Sequence, residues 1–254
     1  MKKLLLLGGT ADARRIATAL HQQGITLIYS LAGLVRTPDI GCELLIGGFS
    51  QFGGLASYLQ THNIAAVLDV THPYAATMST TAVTACQQAG IPCWRFHRSA
   101  WQPEAGDNWY ELKNWQALPE QLAGLDSVLL TAGQMEAELL TEIAERVSQV
   151  HLRTAVQPKY ALPANVNWIK AIGPFNADGE RALMALLNVQ ALVSKNSGGD
   201  STVAKLSIAR ERRIPVYMLH RPVLPQADQQ FSERDKCIEF VVCSSALRAR
   251  QVPK

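Results

Sequence analysis

The sequence predicts an α/β fold of two halves, each built on a parallel sheet. Three observations carry that expectation. Short apolar runs alternate with helical periodicity almost from end to end of the 254 residues. The pattern of strand, glycine-bearing turn and helix occurs twice, at Leu7-Gly8-Gly9-Thr10 and at Lys195-Asn196-Ser197-Gly198-Gly199. Between them, residues 98–108, with Pro103 and Gly106, break the periodicity and mark a junction. This places an N-terminal domain at 1–100 and a C-terminal domain at 101–254, similar in architecture though not in sequence.

Each element follows from its local pattern. Residues 4–7, four leucines in a row, read as a strand buried on both faces. The next helix sets Ala13, Ile16, Ala17 and Leu20 on one face and ends at Gly24. Strands follow at 26–30, 43–46 and 66–69, and the helix between the last two turns Phe52, Leu55 and Leu59 inward. After Pro73 a helix aligns Ala75, Met78, Ala82, Ala85, Cys86 and Ala89 and stops at Gly90; residues 92–96 then form a fifth strand. The second half repeats the style, with strands at 109–112, 128–130, 150–153, 168–171, 191–193 and 216–219. Helices fill the gaps after Gly133 and near Asn176 and Ser201. Past Pro225 the composition turns polar, and 239–242 reads as an edge strand. Such a β-α-β series implies right-handed crossovers.

Composition narrows the function classes. A content of 48% hydrophobic and 18% charged residues is that of an ordinary globular protein. A net charge of +3 admits an acidic small-molecule partner and falls short of a nucleic-acid-binding signature. No apolar stretch reaches the length of a membrane span. Lys2-Lys3 and the leucines lack the length and cleavage region of a signal peptide, so the expectation is a soluble, cytoplasmic protein. Cys42, Cys86, Cys93, Cys237 and Cys243 show no CxxC spacing and the histidines no HxxxH or HExxH, which argues for reduced thiols and no metal site. Oligomeric state is left open.

Parallel sheets bind ligands at the carboxyl ends of their strands. Here those ends are Gly8-Gly9-Thr10, Ser30-Leu31-Ala32-Gly33, Gly47-Gly48-Phe49, Asp69-Val70-Thr71-His72-Pro73, Thr131-Ala132-Gly133, Gly173-Pro174-Phe175 and Lys195 to Gly199. Nearly all combine glycine with a hydroxyl, amide or basic group. Gly8-Gly9-Thr10-Ala11-Asp12-Ala13 fits part of a dinucleotide fingerprint, with Thr10 where the second glycine is usual and Asp12 as a helix N-terminal charge. Dinucleotide binding and a plain structural turn both account for it. After the second strand, Ser30 and Arg36 stand where NAD binders place a carboxylate, which suits the 2′-phosphate of NADP.

Thr71 is placed to cap the next helix, with Pro73 in its first turn; His72 and Tyr74 are candidate donors to substrate or cofactor. Lys195, Asn196, Ser197, Gly198 and Gly199 make a compact anion receptor, not a Walker loop, suited to a carboxylate-bearing substrate. Arg153, at another strand end, is a candidate for the same surface, and Trp94, Trp101 and Trp109 read mostly as packing.

On these residues the chain resembles the precorrin-6A reductase family of cobalamin biosynthesis, including its cobalt-precorrin-6A branch. The resemblance rests on Leu7-Gly8-Gly9-Thr10, Ser30-Leu31-Ala32-Gly33, Gly47-Gly48-Phe49, Thr71-His72-Pro73-Tyr74-Ala75, Gly173-Pro174-Phe175 and Lys195 to Gly199, in the family's order. It departs where Leu34-Val35 precede Arg36 and where Ser50-Gln51 follow Gly-Gly-Phe. The resemblance implies two Rossmann-like domains with a cleft between them and NADPH as cofactor. It also implies reduction of one double bond of a carboxylate-rich tetrapyrrole, with or without cobalt. Gly8, Gly9, Thr10, Ser30 and Arg36 are then expected on the cofactor with Gly47, Gly48 and Thr71 nearby, and Lys195 to Gly199 on the substrate. The proton donor is open among His72, Tyr74, Lys195 and water. Two rival readings are another NADP oxidoreductase, though without the YxxxK of short-chain dehydrogenases, and a non-catalytic NADP-binding sensor.

Overall fold

The computed structural model describes residues 2–33 and 39–247. In chain order the elements are β1 (Lys3–Leu7), α1 (Ala11–Gln22), β2 (Leu27–Leu31), β3 (Glu43–Ile46), α2 (Leu55–Thr61), β4 (Ile64–Asp69), α3 (Ala76–Ala89) and β5 (Cys93–Phe96). They continue with β6 (Trp109–Leu112), α4 (Leu118–Gln121), β7 (Ser127–Leu130), α5 (Ala137–Ala144), β8 (Gln149–Thr154), β9 (Val166–Lys170) and α6 (Ala177–Leu186). The last are β10 (Ala191–Lys195), α7 (Ala204–Glu211), β11 (Val216–Leu219), β12 (Gln229–Phe231) and α8 (Arg234–Cys243). Short 3-10 turns at Phe49–Phe52 and Asp200–Thr202 precede α2 and α7.

The chain forms two compact units, Met1–Ser99 with Pro222–Lys254, and Ala100–Arg221. Each holds one six-stranded sheet, ordered β12-β5-β4-β1-β2-β3 in the first unit and β6-β11-β10-β7-β8-β9 in the second. Every pairing is parallel. The two sheets share one winding pattern, with an edge strand taken from outside the run of five. The strand after β5 joins the second sheet, and the strand after β11 returns to the first.

The four leucines explain the doubly wound first unit. Side chains alternate across a strand, so Leu4 and Leu6 pack with Ala13, Ile16, Ala17 and Leu20 of α1 and with Cys237 and Val241 of α8. Leu5 and Leu7 pack on the other face with Leu55, Tyr58 and Leu59 of α2 and Ala82 and Val83 of α3. All four leucines are at most 2% exposed, each contributing about 1.5–3 kcal/mol of burial. In the second unit Leu129, Leu192, Val216 and Met218 pack under α6 and α7.

Three expectations are corrected. The tail does not continue the second domain: Cys93 N–H donates to Asp228 Oδ2 at 2.7 Å, Asp228 N–H donates back to Cys93 O at 2.9 Å, and β12 pairs with β5. Residues 239–242 are helical, because Cys237 and Val241, four apart, bury one face of α8. The helix after Pro73 starts at Ala76 with no side-chain cap, so Thr71 is not its N-cap. No helix among the described residues is long and apolar enough to cross a membrane.

Candidate functional site

Each sheet has one place where successive crossovers depart in opposite directions, and ligands of such folds sit just beyond the strand ends there. In the first unit it lies between β1 and β4; in the second, between β7 and β10. The first carries Gly8-Gly9-Thr10 and Asp69 to Thr71. The second carries Thr131 and Lys195 to Gly199.

At the first edge, Gly8 is required by close approach: a Cβ there would lie 2.3 Å from Tyr29 Cζ. Gly9 has φ +110° with open space around it, and its N–H donates to the Tyr29 hydroxyl at 3.2 Å. Burial pushes the Tyr29 phenol pKa up, so the ring stays neutral. Thr10 is the N-cap of α1. Its Oγ1 accepts from Ala13 N–H at 3.0 Å and donates to Val70 O at 3.1 Å, tying the loop after β1 to the loop after β4. With that hydroxyl engaged, the loop's offer to an anion is backbone N–H and the positive end of α1. Asp12 also holds Arg98 at 2.9 Å and Arg234 at 3.5 Å.

Ser30 is buried, and its carbonyl accepts from Gly8 N–H at 2.8 Å. Gly47 N–H donates to Leu31 O at 2.8 Å, which brings Gly47 and Gly48 beside the end of β2. Arg36 lies outside the described residues. Thr71 is held by Asp69: its N–H and hydroxyl both donate to Oδ1, at 3.1 and 2.7 Å. Asp69 Oδ2 accepts from Ser79 Oγ at 2.6 Å and Arg95 Nε at 3.0 Å, and Arg95 donates onward to Pro225 O at 2.7 Å. His72 is exposed and its Nδ1 accepts from Tyr74 N–H at 3.3 Å.

At the second edge, Asn196 faces inward. Its Oδ1 accepts from Trp101 N–H at 2.8 Å and its Nδ2 donates to Trp101 O at 2.9 Å, a clamp that fixes the segment before β6. Its carbonyl accepts from Arg221 at 2.8 Å. Ser197 is buried, Gly198 has φ +68°, and half-burial pushes the Lys195 pKa down. Phe175 N–H donates to Ser201 O at 2.9 Å, so the Gly173-Pro174-Phe175 turn lies against the same loop.

Arg153 departs from its expected place on the ligand surface. It is buried, with NH1 2.7 Å from Glu180 Oε1 and its guanidinium 4.3 Å from the Phe175 ring centroid. Beside it stands a group the sequence reading missed. Lys205, 4% exposed, donates to Thr131 Oγ1 at 3.0 Å and lies 5.6 Å from the Trp101 ring centroid. Burial, with Arg153 acting in the same sense and Glu180 opposing, pushes its pKa down to about 7. One signal was available: a lysine in the first turn of a helix opposes the helix dipole. The Asp69–Arg95 pair was also missed, because its partners lie 26 positions apart.

Two doubly wound parallel units, each with glycine- and hydroxyl-bearing loops at its crossover edge, define a Rossmann-like α/β protein. The model of the precorrin-6x reductase CbiJ/CobK family matches residues 3–242, and the chain belongs to that family. A precorrin-6A reductase of Rhodococcus erythropolis is 35% identical over 95% of this chain and 98% of its own length. One of Rhodobacter capsulatus is 34% identical over 90% and 91%. A cobalt-precorrin-6A reductase of Priestia megaterium is 28% identical over 86% and 90%. The solved structure of CobK precorrin-6A reductase superposes with a TM-score of 0.83 at 33% identity, covering 95% of this chain and 96% of that one.

Proposed function

We propose that the protein is an oxidoreductase of corrin-ring synthesis that reduces one double bond of precorrin-6A to give precorrin-6B, with NADPH as hydride source. The observation that carries this reading is near end-to-end similarity to precorrin-6A reductases at 35% identity. Relatives named for the cobalt-bearing macrocycle are 24–28% identical, which favours the metal-free substrate.

The residues fit these ligands. Gly9, open and with φ +110°, and the start of α1 leave room and N–H groups for a diphosphate. Gly8, Thr10, Ser30, Gly47, Gly48 and Thr71 frame that place, and Arg36 is assigned to the 2′-phosphate. NADPH when bound supplies the hydride; this chain's part is to hold, orient and complete protonation. On the second unit Lys195, Ser197, Gly198 and Gly199 receive carboxylates. Val156, Ile172 and Val203, exposed at 50%, 54% and 38%, follow β8, β9 and the turn before α7. An anion receptor and exposed apolar side chains on loops of the same unit suit a flat macrocycle bearing carboxylates.

The test is anaerobic NADPH oxidation on adding precorrin-6A, with and without cobalt, beside an NADH control. Oxidation that requires the macrocycle, fastest with the metal-free form, is the expected result. NADPH binding without turnover on either form would overturn the assignment. Arg36→Ala is expected to weaken NADPH much more than NADH; an equal loss would remove its role.

A further inference from the structure

We propose that Thr131 delivers the proton that completes the reduction, and that Lys205 behind it is the proton reservoir. The inference rests on the reductase reading above and assigns the donor that reading leaves open.

Thr131 directly follows β7 at the crossover edge of the second sheet, beside the Lys195 to Gly199 loop, and is half-buried. Its N–H and its hydroxyl both donate to Val193 O, at 2.8 and 2.9 Å. The hydroxyl can therefore swing away without leaving that carbonyl unpaired. Its oxygen meanwhile accepts from Lys205 Nζ at 3.0 Å.

Lys205 stands where a structural role would not place a lysine. It is the second residue of α7, at the positive end of the helix, and is buried. The groups facing it are Thr131 from the end of β7, Arg153 from β8, Glu180 from α6 and Trp101 from the segment before β6. Glu180 is already paired with Arg153 at 2.7 Å, and its Oε2 is buried with no hydrogen-bond partner. The lysine thus sits beside a spent ion pair, with one hydroxyl as its hydrogen-bond acceptor and that hydroxyl at the ligand edge. With its pKa near 7, the ammonium and amine forms are both populated at neutral pH.

The step balances. Hydride addition to one carbon of the double bond leaves the π electron pair on the partner atom. That pair takes the Thr131 hydroxyl proton, the O–H bond breaks, and a Lys205 N–H proton refills the oxygen. Lys205 is left as the neutral amine and is reprotonated from solvent. Thr131 is the group that meets the substrate, and Lys205 acts through it.

The experiment compares wild type with Lys205→Met, Lys205→Arg, Thr131→Val and Thr131→Ser, reading kcat against pH on precorrin-6A and Kd for NADPH. Wild-type kcat is expected to be flat on the acid side and to fall above the lysine's pKa in the complex. Lys205→Met and Thr131→Val should each lower kcat about a hundredfold, the former without that alkaline limb, while NADPH Kd holds within about threefold. Because the two act as one unit, the double variant should be no slower than either single one. Thr131→Ser should stay within a few fold of wild type. Lys205→Arg keeps the charge but no transferable proton, so it should not restore kcat.

In the ligand-free protein, NMR of 13C-labelled lysines should show one resonance titrating near neutrality that Lys205→Met removes. Should Lys205→Met fail to fold, Thr131→Val and that titration decide. Full activity in Lys205→Arg, a persisting alkaline limb in Lys205→Met, or undiminished kcat in Thr131→Val would overturn the proposal. Those outcomes leave wild-type turnover intact, so they are distinguishable from failure of the reductase reading, in which wild type itself does not consume precorrin-6A.

Discussion

Asp69→Asn should be among the most damaging single-atom changes in the first unit. Asp69 is 1% exposed and accepts four hydrogen bonds: two from Thr71, one from Ser79 and one from Arg95. Asparagine keeps one oxygen, enough for Thr71, but turns an N–H donor toward the donors of Ser79 and Arg95. The serine hydroxyl can rotate and accept; the guanidinium cannot. Arg95, with its side chain 3% exposed, would keep its bond to Pro225 O, and its NH2 already has no partner. Removing one member of such a buried pair costs about 3–5 kcal/mol, most of it from the stranded charge. That is a large part of the 5–15 kcal/mol by which domains are stable, and about 10 °C in Tm at this chain length.

The assay is urea unfolding of Asp69→Asn, Arg95→Met and the double variant. The double variant should regain at least half of the Asp69→Asn loss, because no lone charge remains. A loss below about 1 kcal/mol for Asp69→Asn would refute the reasoning. A double variant as unstable as both changes summed would instead place the cost in packing. One oxygen still anchors Thr71, so the affinity for the nicotinamide cofactor should hold within a few fold while stability falls.

Two further outcomes follow from the geometry. Gly8→Ala puts a methyl 2.3 Å from Tyr29 Cζ, and Tyr29 is 1% exposed, so ring and loop must separate. Urea unfolding should show a loss of about 1–3 kcal/mol together with weaker NADPH binding, and an unchanged midpoint would contradict the close approach. Lys205 should also make stability rise with pH. Its pKa drops from 10.5 unfolded to about 7 folded, so between those values the unfolded chain holds more protons and alkali favours the fold. From pH 7 to 9 the wild-type advantage over Lys205→Met should grow by about 2 kcal/mol, and a pH-independent difference would show that Lys205 is not a buried titrating group.

The central strands were legible because parallel strands buried on both faces read as unbroken apolar runs, and 216–219 falls on β11 to the residue; 43–46 and 109–112 also fall on β3 and β6, although these are partly exposed edge strands. The tail was not. Gln229–Phe231 is a three-residue edge strand with two exposed glutamines and no apolar signal, and Phe240-Val241-Val242 mimics a strand inside α8. Thr71 illustrates the limit for local reasoning. Its distance from Pro73 resembles a cap and first turn, but the carboxylate at Asp69 holds the hydroxyl, and helix α3 starts only at Ala76. Gly8, Gly9 and the Lys195 to Gly199 loop were findable because glycines at strand ends stand out in one dimension. Arg153–Glu180 and Lys205–Thr131 join residues 27 and 74 positions apart, and only the sheet order brings them together.

That order also says how two similar edges would do different work under the proposed assignment. In each unit a threonine hydroxyl spans the crossover point: Thr10 to Val70 O between β1 and β4, Thr131 to Val193 O between β7 and β10. What each threonine accepts from differs. Thr10 takes the Ala13 N–H of α1, a donor that never gives up its proton, so its hydroxyl holds the shape of the turn. Thr131 takes a lysine whose pKa lies near 7, so its hydroxyl can be refilled after it reacts. The first arrangement suits a cofactor that must be held in place, and the second a substrate that must leave with one more proton than it brought.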